Sequence, residues 1–208
     1  MKWIVKKFSE IWRPGLKRGS KIALFILIVV LLKPLDVLAS GSYRPILKKW
    51  TRHQRIYVVD NFEARLLWHA TYFSKEFRDT YFQRLNDFMQ GPPEEGLKRK
   101  KLNDEDAQKF DVFFVSIYSG SSAWPEIGDN SAQWKFILET SHGKKVFEKV
   151  SEKIRVTEVE RHMFPYLDRW SQGFWVKFPK TILPEESFRL KISGMPVRSE
   201  LKWDGVTE

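Results

Sequence analysis

Cysteine is absent from the chain. That excludes disulfides, so an exported domain built from it must stand on its hydrophobic core alone. It also removes the residue a lipoprotein carries at its processing point, because Leu38-Ala39-Ser40-Gly41 leads on to Ser42. A zinc site would need histidines and carboxylates gathered from distant segments, and histidine is scarce. The four, His53, His69, His142 and His162, include no pair at i,i+4 spacing. His69 with Asp60 and Glu63 is the best cluster on sequence. The plainer reading is a solvent-facing strand histidine, and the expectation is no metal.

Other constellations are missing too. There is no Gly-x-Gly-x-x-Gly and no phosphate cradle followed by Lys-Ser/Thr. Ser119-Gly120-Ser121-Ser122 is a turn and lacks the strained Gly-x-Ser-x-Gly elbow that exposes a nucleophile. Glu94-Glu95 and Glu185-Glu186 are adjacent acids beside prolines, which suits a solvated loop better than a glycosidase pair. The sequence therefore predicts no catalytic residues and no cofactor, and the chain is expected not to be an enzyme.

What is present begins at the N-terminus. Residues 1–21 carry Lys2, Lys6, Lys7, Arg13, Lys17, Arg18 and Lys21 against one acid, Glu10. The run Ile22–Leu32 then holds 11 apolar residues. As a helix it rises about 16 Å, against a hydrocarbon thickness of roughly 30 Å. Positive charge before a short apolar core is the pattern of an export signal. Pro34 breaks the helix, and Val37 and Ala39 are small residues suited to a cut before Ser40. The competing reading is an uncleaved anchor over residues 22–39, with Lys33 and Asp36 near its outer end.

Residues 1–39 hold 8 of the 36 basic and 2 of the 26 acidic side chains, leaving 28 and 24 in the rest. Most of the net +10 thus belongs to the opening segment, which excludes a nucleic-acid reading of the whole-chain charge. The expected organisation is 1–39 signal peptide or signal anchor, 40–53 linker, and 54–208 a single β-rich exported domain.

Within that domain, Arg55–Val59 is β-prone. From Phe62 to Phe73 the residues Phe62, Ala64, Leu66, Trp68, Ala70 and Tyr72 alternate onto one face, predicting a strand, with a helix as the alternative because Glu63-Ala64-Arg65-Leu66-Leu67 are good helix formers. Ser74 caps a helix whose Phe77, Tyr81, Phe82, Leu85, Phe88 and Met89 form one side, ending at Gly91-Pro92-Pro93. Glu94–Asp106 reads as a charged, solvated connector. Further strands are expected over Asp111–Tyr118, from Trp134 to Glu139, over Lys145–Val150 after a Ser141–Lys144 turn, from Phe174 to Phe178, from Phe188 to Ile192, and near Leu201–Trp203. Thr157-Glu158-Val159-Glu160 is a capping box opening a short helix that Pro165 stops. The fold class is mainly β (α+β): a β-sandwich or partial barrel of about seven to eight short strands with two accessory helices.

The run Ala70–Arg78, the segment Ser116-Ile117-Tyr118 with Trp124 after it, and Phe164-Pro165-Tyr166 leading to Trp175–Pro179 resemble a group of uncharacterised exported or lipoprotein-like bacterial domains. The resemblance spans most of residues 45–193. Its motifs are packing residues, so it implies a shared fold and no activity. Where such relatives carry a lipid-bearing cysteine, this chain has serine.

Seven of the nine tryptophans follow residue 39. Strand tryptophans such as Trp134 fit a core. Trp124 and Trp170 fall in expected loops and are the candidate contact residues for a partner or ligand. The functional expectation is an exported cell-envelope protein, periplasmic or extracellular, acting by protein contact. The alternatives are a glycan- or lipid-binding module using those aromatics, and a membrane-complex subunit held by residues 22–39.

Overall fold

The computed structural model describes residues 36–57, 64–119, 134–181, 187–194 and 198–205. The chain divides into two units, Met1–Ala39 and Ser40–Glu208. The element order is α1 (Asp36–Trp50), β1 (Thr51–Tyr57), β2 (Ala64–Tyr72), α2 (Lys75–Met89), α3 (Pro93–Lys109), β3 (Phe110–Tyr118), β4 (Trp134–Thr140), β5 (Lys145–Phe147), β6 (Val150–Ile154), α4 (Glu158–Met163), β7 (Gln172–Pro179), β8 (Phe188–Gly194) and β9 (Arg198–Trp203). The strands form two antiparallel sheets, β1-β2-β3-β7-β6 and β5-β4-β8-β9. The mainly β sandwich is thus present, with nine strands among the described residues.

Alternation decides which side chains meet between the sheets. Register places Trp68 opposite Ile117, Ala70 opposite Val115 and Tyr72 opposite Phe113, so all six point the same way. All are buried. Phe188, Leu190 and Ile192 of β8 answer them with Leu201 and Trp203 of β9. The rings of Phe113 and Tyr72 reach Phe188 at 6.1 and 5.2 Å. Full burial of each such side chain is worth about 1.5–3 kcal/mol, so this interior is the main source of stability in a chain without disulfides.

β3 is the exception to alternation: Asp111 through Ile117 are all buried. Its second face is covered by the segment that follows α4. Phe114 packs under Phe164 and Trp175, and Phe73 meets Phe77 and Tyr81 of α2. Asp111, buried at the start of β3, accepts hydrogen bonds from Tyr72 Oη, Lys180 Nζ, and the backbone N and Oγ1 of Thr181. This carboxylate ties β2, β3 and the segment after β7 together.

The two ends of the sandwich are built differently. At one, the chain passes between sheets in two residues: Glu148 N still donates to Phe136 O of β4, while Lys149 N already donates to Lys177 O of β7. At the other, β1 and β9 are joined by side chains. Trp203 Nε1 donates to Trp50 O, Arg52 Nε to Lys202 O, and Ser199 Oγ links Gln54 Oε1 to Trp68 Nε1.

Two expectations are corrected. Residues 40–53 are no linker: α1 runs to Trp50 and β1 starts at Thr51. Tyr43, Leu47 and Trp50 recur at helical spacing and are all buried, an apolar stripe that offsets the cost of Pro45 inside the helix. The charged connector is also helix, α3. Pro93 stands at its first turn with Glu94 and Glu95, and Lys109 in its last turn, the charges being favoured there by the helix dipole. Ser74 caps α2 as expected, accepting from Phe77 N at 3.1 Å. The Thr157–Glu160 capping box is formed at α4. The described residues thus hold four helices in place of the two expected.

Candidate functional site on the helix-side face

Of the two loop tryptophans singled out by sequence, Trp124 lies outside the described residues, whereas Trp170 is 71% exposed. Trp170 sits in the segment between α4 and β7. The base of that segment is anchored: Phe164 and Leu167 are buried, and Phe164 packs on Phe114 of the central strand. Its outer half is held by Asp168, whose Oδ1 accepts from both Trp170 N and Ser171 N at 2.8 and 2.7 Å. Such a side-chain-to-backbone turn fixes the chain at Asp168–Ser171.

Within the base, between Phe164 and Leu167, stands Tyr166. Hairpin register sets His53 of β1 opposite His69 of β2, and both point to the helix side of the sheet. The three rings make a row. His53 and His69 lie 5.3 Å apart at 29°, and His69 and Tyr166 lie 4.8 Å apart at 12°. Beside the row, Thr51 Oγ1, Thr71 Oγ1 and Tyr166 Oη form a chain of two hydrogen bonds, each 2.7 Å. His53 is exposed and His69 half-buried. Burial pushes the His69 imidazole down to about 4, helped by His53 and Arg55 and opposed by Asp168. His69 is therefore neutral at neutral pH, a flat uncharged ring between two others. Burial also holds the Tyr166 phenol protonated far above neutrality.

Asp60 and Glu63, grouped with His69 on sequence, lie outside the described residues. Among the described residues no group of three or more His, Asp or Glu is placed to hold a metal ion. His162 stacks on Phe88 at 4.2 Å on the helical layer. Of the Ser119–Ser122 turn only Ser119 belongs to the described residues, and Glu185 and Glu186 lie outside them. Glu94 and Glu95 belong to the first turn of α3, where Glu95 faces Arg99. Lys100 pairs with Asp79 of α2 at 2.9 Å.

Sequence reasoning found Trp170 but missed His53, Tyr166 and Asp168. Asp168-x-Trp170 carries an Asx-turn signal that could have been read. The ring row had no signal until the hairpin register was known.

No family model matches the chain, and no curated protein does. Among solved structures it is similar to a DUF4426 family protein (PA0388) from Pseudomonas aeruginosa PAO1. Identity is 12%, coverage 72% of this chain and 92% of that one, and the TM-score 0.29. A likeness of that size carries no argument about activity. Chemically, the surface offers aromatic faces, a neutral imidazole at His69 and an exposed indole on a braced turn.

Proposed function

We propose that this chain is an exported cell-envelope protein that works by contact with a protein partner, in a structural or assembly role and without catalysis. The observation that carries the reading is Trp170: a large indole left 71% exposed on a turn that Asp168 holds in place. An exposed tryptophan on a braced scaffold loses little freedom on binding and buries a large area, which makes it a natural anchor for a partner. Export rests on the basic opening and the apolar run Ile22–Leu32, which lie outside the described residues. Among the described residues no helix is long and apolar enough to cross a membrane.

The test is a photo-crosslinking residue placed at Trp170 in the full chain, made in its own cell, with a control at Arg189 on the outer face of the four-stranded sheet. The expected result is a discrete protein adduct at 170 and none at 189, with mature material starting at Ser40. Absence of an adduct at 170, together with turnover of any substrate panel by the purified protein, overturns it. A second reading, a glycan- or lipid-binding module, draws on the exposed Trp170 indole and the His53–His69–Tyr166 ring row. Titrating the protein with envelope glycan and lipid extracts while following tryptophan emission separates the two.

A further inference from the structure

We propose that the outer face of the four-stranded sheet docks the domain on an anionic membrane surface. This goes beyond the contact role of Trp170, because it concerns the opposite side of the sandwich.

Register fixes what that face carries. Phe188, Leu190 and Ile192 of β8 are buried between the sheets, so Arg189, Lys191 and Ser193 point outward. Their cross-strand neighbours are Glu139, Ile137 and Lys135 on β4, and Lys202, Glu200 and Arg198 on β9. β5 adds Lys145 opposite Glu139 and Phe147 opposite Ile137. The outward positions thus hold six basic side chains and two acidic ones. Residues 40–208 hold 28 and 24, so the remainder of that span has 22 of each. The whole surplus of positive charge after residue 39 falls on this one face.

Both acids of the face are engaged. Glu139 lies 2.7 Å from Lys191, and Glu200 lies 3.6 Å from Lys191 and 4.0 Å from Arg189. Two further acids stand at the rim: Asp204 on Lys202 at 2.9 Å, and half-buried Glu148 facing Lys135. Counted with the face, they still leave it positive. Lys135, Lys145, Arg189, Arg198 and Lys202 are exposed. A groove of about 440 Å³ opens among Ile137, Lys191, Ser193, Arg198 and Glu200, and offers a phosphate headgroup two cationic side chains.

The make-up of the face selects its occupant. Centres of protein–protein interfaces are poor in Lys and Glu, and here Lys191 and Glu139 hold the centre. A flat layer of charge spread over four strands matches instead a surface whose own charge is spread in two dimensions. An anionic membrane attracts each nearby Lys or Arg by roughly a fivefold gain in partition. Phe147, 55% exposed at the end of its row, is placed to enter the headgroup layer beside Ile137. With this face on lipid, the Trp170 side is left turned to a partner, and a crosslinker at Arg189 meets no protein.

The experiment uses the full chain, whose lack of cysteine lets a single label be placed. Ser193→Cys puts a polarity-sensitive fluorophore between Lys135 and Arg198, and Gln83→Cys puts it on an exposed position of α2 as control. The probes are phosphatidylcholine vesicles, the same vesicles containing phosphatidylglycerol, and poly-glutamate as a soluble polyanion. Expected is a blue shift at 193 with the anionic vesicles, absent with phosphatidylcholine alone, absent at 83, and lost in high salt. Lys135→Gln with Arg198→Gln should weaken that response about 30-fold, at roughly fivefold per charge. Lys98→Gln with Lys101→Gln on α3 makes the same change in net charge and should leave it unaltered. A label at 193 reads this face alone, whatever the basic opening segment does with vesicles. The proposal is overturned if 193 and 83 respond alike, if 193 answers poly-glutamate and not vesicles, or if the two pairs of substitutions act equally. Trp170 enters none of these readouts, so failure of the contact reading would leave them as they stand.

Discussion

Phe164 lies flat on Phe114, their ring centroids 3.9 Å apart and their planes within 7° of parallel. The pair joins the segment after α4 to the middle of the central strand, and both rings are fully buried. Truncating Phe164 removes this stack and the contacts of the same ring with Phe73, Phe77, Tyr81 and Tyr166. Phe164→Ala is expected to cost about 3–5 kcal/mol, read as a lower midpoint in urea denaturation, and to free Trp170 as well.

Asp111 makes a second point of leverage. Its carboxylate accepts from four donors in three segments. Asp111→Ala leaves the buried Tyr72 hydroxyl and the Thr181 N–H without an acceptor, while the half-exposed Lys180 ammonium can return to water. Unpaired buried donors cost about 1–3 kcal/mol each. A loss of roughly 2–4 kcal/mol is therefore expected, and a loss below that of an average surface substitution would show that the carboxylate ties nothing.

Gln90 ends α2 in the left-handed region at φ 48°, its N–H donating to Asn86 O. A side chain in this conformation is strained by roughly 1 kcal/mol, and glycine is not. Gln90→Gly should raise the thermal midpoint. The substitution is surface-exposed and far from Trp170 in sequence, so crosslinking at 170 should be unchanged.

α3 buries only Gly96 and Ala107. It is held by polar ties, Lys100 to Asp79 and Asp106 to Lys177 at 2.9 and 2.5 Å. Helices with so little apolar contact open locally at low cost. Hydrogen exchange should therefore release α3 amides well before those of β3, and added salt should widen the gap by screening those ion pairs. Equal protection of the two elements would contradict this.

Global stability should also respond to acid through His69. Its ordinary value is 6.5 and its folded value about 4, so between these the unfolded chain binds the extra proton. Stability then falls as pH drops through that window and flattens below it. In His69→Gln the slope between pH 6.5 and about 4 should be shallower than in the parent, as measured by urea midpoints across the range.

Most of the sandwich was legible in the sequence because its strands have one wet and one dry face. Trp134-Lys135-Phe136 and Phe188-Arg189-Leu190 state their period directly. The Ser74 and Thr157 caps are equally local signals. α3 was hidden because its helicity rests on end effects and side-chain pairs, with no apolar stripe to read. α1 was hidden because Ser40-Gly41-Ser42 and Pro45 suggest a linker, while the burial of Tyr43, Leu47 and Trp50 depends on partners far along the chain, such as Phe77 and Trp203. The candidate site was half legible: Trp170 stands out as a loop tryptophan, but His53 and His69 meet only through hairpin register, and Tyr166 only through the return of the chain after α4.

The crossing at Glu148–Lys149 and the side-chain ties at β1 and β9 give the sandwich a spine and a clasp. On the spine side the backbone itself spans both sheets, so they cannot part there without unpairing strands. On the clasp side, parting needs Trp203, Arg52, Gln54 and Ser199 to give up their partners and the Trp203 ring to leave Phe113 in the interior. Swelling under denaturant or force is thereby given a direction, with the cover lifting from β9 while β5 and β6 stay bound.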